Sequence, residues 1–96
     1  MSLMSLEKRG ALQILAYLYK KGRSTITEFR KNVKAATDTL YSSLELLGKM
    51  GLVKRVEEKE FPFSTFYELT PLGHEVAELL ARIEELLAGK GVKGRE

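Results

Sequence analysis

The chain has 96 residues, enough for one domain, with 44% hydrophobic residues, 30% charged residues, a net charge of +3 and no cysteine. Disulfides, thiol catalysis and cysteine–zinc sites are therefore excluded, and His74 as the single histidine leaves no imidazole cluster for a metal or for acid–base chemistry. No apolar run approaches the ~20 residues that span a bilayer and no secretory signal opens the chain, so the expectations are a cytoplasmic protein with no cofactor, no metal, no membrane partner and no enzymatic activity.

Abundant Lys and Glu beside scarce Asn and Gln fit the composition of a thermophile. The tripeptide Met1-Ser2-Leu3 recurs as Met4-Ser5-Leu6. A leader of residues 1–3 before a native start would give this repeat, so the domain is expected over residues 4–89.

Residues 5–21 predict a first helix, with Ala11, Ile14, Leu15 and Leu18 on one face and Gly22 as its stop. Ser24–Ile26 is β-prone. Thr27 is a candidate cap for a short second helix, Glu28–Val33, with Glu28 in its first turn. Lys34–Ala36 reads as a turn. A third helix follows from Thr37 to Met50, with Leu40, Leu44 and Leu47 inward and Gly51 as its left-handed end. Leu52–Glu57 and Phe63–Leu69 predict a hairpin, with Pro62 in its loop. Thr70 and Pro71 open a fourth helix as N-cap and first residue, running to about Ala88 before Gly89. Residues 90–96 are expected to be a disordered tail. The fold class is therefore α+β and mostly helical: a three-helix core, a two-stranded wing hairpin and a long C-terminal helix, which is the winged helix-turn-helix order.

Charge is unevenly distributed along this order. Residues 20–34 hold Lys20, Lys21, Arg23, Arg30, Lys31 and Lys34 against Glu28 alone. Residues 61–87 hold Glu68, Glu75, Glu78, Glu84 and Glu85 against Arg82 alone. One part of the chain is suited to face a polyanion while the other faces away.

Two stretches also resemble a known superfamily. Thr39-Leu40-Tyr41-Ser42-Ser43-Leu44-Glu45-Leu46-Leu47-Gly48-Lys49-Met50-Gly51-Leu52-Val53 resembles the recognition-helix segment of PadR-, MarR- and HxlR-type regulators. Tyr67-Glu68-Leu69-Thr70-Pro71-Leu72-Gly73 is similar to the box that joins their wing to the last helix. The resemblance covers residues 39–73 and implies a transcriptional regulator that binds double-stranded DNA. It leaves the subfamily open: Ser24–Phe29 departs from the PadR pattern, and the cysteine usual near the start of HxlR proteins is absent. Ligand or redox sensing is accordingly not carried over, and a small-molecule effector is unknown.

On a wheel of ~100° per residue, Asp38, Ser42, Glu45 and Lys49 face outward on the third helix, flanked by Thr39 and Tyr41. Thr39, Tyr41 and Ser42 are the candidate base contacts. Arg30, Lys31, Lys34 and Thr37 are the candidate phosphate contacts around the turn. Lys54, Arg55 and Lys59 are the wing candidates, matched in number by Glu57, Glu58 and Glu60. Asp38 and Glu45 predict modest sequence discrimination, because carboxylates are repelled by phosphates and no arginine stands on this face to read guanine. Phe61 and Phe63 are expected to close the wing onto the core, the commoner fate of such residues, and His74 to lie on the surface. Val76, Leu79, Leu80, Ile83, Leu86 and Leu87 form an apolar arc longer than a small core needs, so they are the candidate homodimer face. Two alternatives stand beside a dimeric regulator. One is a winged helix used for protein contact in a transcription or RNA-processing assembly, favoured by the acidic residues of the third helix. The other is a sequence-neutral chromosomal protein.

Overall fold

Gly10 interrupts the predicted first helix. The computed structural model describes residues 2–89; the expected disordered tail, 90–96, lies outside the described residues, as does Met1. Leu3–Glu7 forms a short 3-10 helix, and α1 runs over Ala11–Lys21. Between them Gly10 takes φ 88°, a left-handed conformation that α-helical continuity forbids and glycine tolerates. The first helix thus begins at Ala11 instead of residue 5. Leu6 still reaches the core from the 3-10 segment.

The second helix also starts where local hydrogen bonding decides. α2 spans Ile26–Asn32. Its cap is Thr25, not Thr27. The Thr25 hydroxyl accepts from the Glu28 N–H (3.3 Å), and the Glu28 carboxylate accepts from the Thr25 N–H (2.8 Å). This reciprocal box satisfies two donors that the helix itself leaves open. Of the β-prone piece, Ser24 alone pairs: it exchanges two backbone hydrogen bonds with Tyr67, at 3.0 and 2.8 Å.

α3 covers Thr37–Lys49, and Gly51 beyond it takes φ 79°. β1 (Val53–Glu57) and β2 (Thr65–Leu69) pair antiparallel, with Val53 opposite Leu69, Arg55 opposite Tyr67 and Glu57 opposite Thr65. α4 covers Pro71–Leu87 and is capped by Thr70, as expected. No helix among the described residues is long and apolar enough to cross a membrane. The winged helix-turn-helix architecture is therefore present, with helices, hairpin and last helix in the predicted order.

The core lies where α1, α2 and α3 meet beneath β2. Ile14, Leu15, Phe29, Leu40 and Leu47 are fully buried there, with Leu18, Leu44, Leu52, Val53, Tyr67 and Ala77 around them. Each large side chain removed from water contributes about 1.5–3 kcal/mol. Phe29 packs edge-on to Tyr17 (5.8 Å) and tilted against Tyr67 (6.0 Å), which ties α2 to both α1 and the wing.

The end of α3, the start of β1 and the start of α4 share one joint. The Thr70 hydroxyl donates to the Gly51 carbonyl (2.6 Å) and accepts from the Gly73 N–H (2.9 Å). The Thr70 N–H donates to the Leu52 carbonyl at 3.0 Å. Gly73 lies directly against that carbonyl: a Cβ there would stand 1.8 Å from the oxygen. The two stretches that carry the family resemblance thus touch each other here.

Phe61 and Phe63 do not pack on the core. They are 85% and 63% exposed at the hairpin tip, in edge-on contact with each other at 6.1 Å. The tip closes on itself through bonds from the Phe63 N–H to the Glu60 carbonyl (2.8 Å) and from the Glu58 N–H to the Ser64 carbonyl (2.9 Å). A self-closed loop beyond the last strand pair holds its aromatic rings away from the helices.

Candidate nucleic-acid interface

α3 presents two faces of opposite character. Leu40, Ser43, Leu44 and Leu47 are buried, while Thr37, Asp38, Tyr41, Ser42, Glu45 and Lys49 are exposed and Thr39 is half-buried. Of the three candidate base contacts, Tyr41 and Ser42 stand fully on the outer face and Thr39 on its edge. Ala36 caps the helix without any side-chain hydrogen bond, so the first N–H groups of α3, beside Thr37, remain open to solvent or to an anion. Glu45 is engaged by Lys49 at 3.8 Å, whereas Asp38, which forms no ion pair among the described residues, lies in the first turn, where the helix dipole favours a carboxylate.

The turn before α3 is held from behind by α1. The Lys34 N–H donates to Gln13 Oε1 (3.1 Å). Asn32 Nδ2 donates to the Glu28 carbonyl (2.9 Å) and to the Tyr17 hydroxyl (3.4 Å). Val33 is buried beside them, which leaves Arg30, Lys31 and Lys34 exposed on the outer side. Among the described residues, none of these three cations forms an ion pair with a carboxylate. Arg30 and Lys31 also occupy the last turn of α2, where the helix dipole favours positive charge.

The basic run of residues 20–34 is thereby divided. Lys20 lies on a groove between α1 and α4. Arg23 stacks on the Phe66 ring (4.0 Å) and reaches Glu58 (3.4 Å). Arg30, Lys31 and Lys34 stand exposed before α3.

The wing cations are largely compensated. Lys54 pairs across the strands with Glu68 (3.3 Å) and Arg55 with Glu57 (2.7 Å), while Lys59 makes no ion pair among the described residues. Arg55 nonetheless shares a hollow with Tyr41, Glu45 and Tyr67, between α3 and the sheet. The cross-strand register places it there, opposite Tyr67. Burial pushes the Tyr67 hydroxyl above its ordinary pKa, and the nearby Arg55 guanidinium opposes that rise. Sequence periodicity places Tyr41 and Arg55 on separate elements and carries no signal of this proximity.

On α4 the apolar arc divides along its length. Val76 and Leu80 lean on the domain's own core. Leu79 (62% exposed), Ile83 (49%), Leu86 and Leu87 face solvent. With Leu12 and Ala16 of α1, Leu80, Ile83 and Leu87 line the α1–α4 groove, about 340 Å³ in volume. His74 is exposed and packs beside Tyr19, 5.2 Å between ring centres.

An exposed polar helix, a cation-bearing turn before it and a hairpin beside it define a winged helix-turn-helix protein. The HxlR-like helix-turn-helix family model matches residues 5–92, so the chain belongs to that family of transcriptional regulators. The subfamily left open by the two sequence boxes is thus the HxlR-like one, even though the chain has no cysteine. Among solved structures, the chain is similar to ytfH of Salmonella typhimurium, named as a transcriptional regulator. The identity is 26%, over 90% of this chain and 77% of that one, with a TM-score of 0.76. It is similar in fold to a transcriptional regulator homologue of Pyrococcus horikoshii OT3, at 23% identity over 93% of this chain and 90% of that one, TM-score 0.75. It also shares the fold of Streptococcus pneumoniae FabT, solved in complex with DNA, at 20% identity and TM-score 0.74, covering 90% of this chain and 60% of that one. Comparison with curated proteins finds no match.

Proposed function

We propose that the chain regulates transcription as a homodimer that binds double-stranded DNA with modest sequence selectivity. The carrying observation is the pairing of α3's exposed outer face with Arg30, Lys31 and Lys34 at its start, which form no ion pair among the described residues. A helix with hydroxyls along one side suits the major groove, and cations at its approach suit the flanking phosphates. Tyr41, Ser42 and Thr39 are the base-contacting residues in this reading. Thr37, Arg30, Lys31 and Lys34 position the backbone, and Lys59 and Arg55 serve the wing. Selectivity is modest because Asp38 and Glu45 share the reading face.

Homodimerisation is supported by the solvent-facing Leu79, Ile83 and Leu87, of which Ile83 and Leu87 lie along an apolar groove that α1 lines from the other side. The glutamates of α4 keep this face from competing for phosphate. Two copies joined there would engage successive major grooves, ~34 Å apart, and the second contact would be intramolecular.

Selection from a random duplex pool, followed by titration of the enriched and unselected duplexes, tests both parts. Lys31→Gln or Lys34→Gln is expected to weaken both duplexes alike and to flatten the salt dependence by about one unit per lost contact. Ser42→Ala is expected to narrow the preference for the enriched duplex while leaving the unselected one unchanged. Selection that enriches nothing, with salt-dependent binding retained, would favour a sequence-neutral chromosomal protein. No binding at any salt would favour the protein-contact alternative.

A further inference from the structure

Lys8 and Arg9 lie ahead of α1, outside the helix-turn-helix and outside the residues assigned above to DNA. Their turn is pinned from behind. The Arg9 carbonyl accepts a 2.5 Å hydrogen bond from the Ser43 hydroxyl, which is buried on the inner face of α3. A Cβ on Gly10 would stand 3.5 Å from the Ser43 hydroxyl and 3.6 Å from the Ala35 Cβ. The turn before α1 therefore rests directly against the turn before α3.

In front, the two turns enclose one open notch, rimmed by Lys8, Arg9 and Lys34 together with Glu7, Gln13 and Gly10. Gln13 joins the two sides through its bond to the Lys34 N–H. Lys8, Arg9 and Lys34 are all exposed, and among the described residues none forms an ion pair. Glu7 shares the rim without closing on them. Three cations held around one hollow, with no counter-charge bound to them, create a local field that attracts an anion. The notch is shallow and solvent-facing, with no buried polar group to enclose a small free anion. It is continuous through Lys34 with the cations of the α2–α3 turn, which fits an extended polyanion.

We propose that this notch is a second backbone-holding point, in which Lys8 and Arg9 grip one DNA phosphate while Lys34 grips its neighbour on the same strand. The proposal rests on the DNA-binding reading above and adds a site that the helix-turn-helix does not contain. The guanidinium of Arg9 offers a planar fork matched to phosphate oxygens, and Lys8 adds a point charge. Because the Arg9 carbonyl is held by Ser43, the pair moves with the reading helix. A protomer docked by α3 thus brings Lys8 and Arg9 to the backbone without further ordering of the chain.

The test titrates the intact protein on duplex of random sequence between about 50 and 200 mM salt. Lys8→Gln/Arg9→Gln is expected to flatten the slope of log affinity against log salt by about 0.9 per protomer, with equal loss on every sequence. The control, Lys21→Gln, removes a cation at the far end of α1 that lines neither the notch nor the α1–α4 groove. It is expected to keep the wild-type slope. The Ser43 bond uses the Arg9 backbone, so both variants should melt like the wild type. A wild-type slope in Lys8→Gln/Arg9→Gln overturns the proposal and leaves DNA binding intact, as does equal flattening per charge removed in both variants. Wild-type protein that binds no duplex at any salt overturns the underlying DNA-binding reading instead.

Discussion

A methyl group at position 73 is the smallest change that would separate α4 from the wing. The Leu52 carbonyl already occupies that space and accepts the Thr70 N–H, so neither partner can yield without losing a bond. Gly73→Ala is expected to cost about 3 kcal/mol, the upper range for overpacking, read as a lower urea midpoint; an unchanged midpoint would refute the tight joint. Tyr67 makes a prediction in pH. Its pKa is raised in the folded state by burial, so folding favours the neutral phenol. That contribution is complete below the unfolded value of about 10 and is lost as pH rises through the folded value. The wild type should therefore lose stability above about pH 10 more steeply than Tyr67→Phe, measured by urea titration across that range. Individual residues were unequally legible. Ser43 could have been found, since it falls between Leu40 and Leu47 on the buried arc. The Lys54–Glu68 pair could not, because hairpin register depends on a loop whose closure is set by its own backbone bonds.

At the scale of elements, α2 depends most on local chemistry. Its seven residues are too few to hold a helix without caps and tertiary contacts. Thr25→Ala removes the hydroxyl that caps it and should cost about 1 kcal/mol, with Thr25→Ser restoring most of the loss in the same denaturation series. The cap was written in the chain as Thr25 and Glu28, three apart. Thr27 has Arg30 at the corresponding position and cannot form the reciprocal pair. The start of α1 was obscured for a different reason. Leu6 is apolar and buried, so periodicity runs on through it, while the backbone turns at Gly10. Apolarity likewise misled at Phe61 and Phe63, because burial requires a surface within reach and the hairpin tip projects past the core.

At the scale of the molecule, the order of elements was legible because the two diagnostic stretches are the two halves of one joint. What covers the outer arc of α4 was legible only as an excess of apolar residues. Leu79, Ile83 and Leu87 remain exposed on the single chain, and a second copy is the proposed cover. Ile83→Asp places a charge in that seam, where an unpaired buried charge is strongly unfavourable. It should yield a folded monomer by sedimentation, with greatly reduced DNA affinity. A wild type that is already monomeric at tens of micromolar, or a variant that stays dimeric, would refute this role for α4.

The joint at Gly51, Leu52, Thr70 and Gly73 has a geometric consequence for such a pair. It sets the angle between α3, the proposed reading helix, and α4, the proposed dimer helix. Adding one residue within α4 beyond that joint would advance the seam by about 1.5 Å and rotate it by ~100°. The two reading helices would then fall out of phase with the DNA's own turn. In the proposed dimer, the spacing of operator half-sites would accordingly depend on these four residues and on the length of α4, and not on the side chains proposed to touch bases.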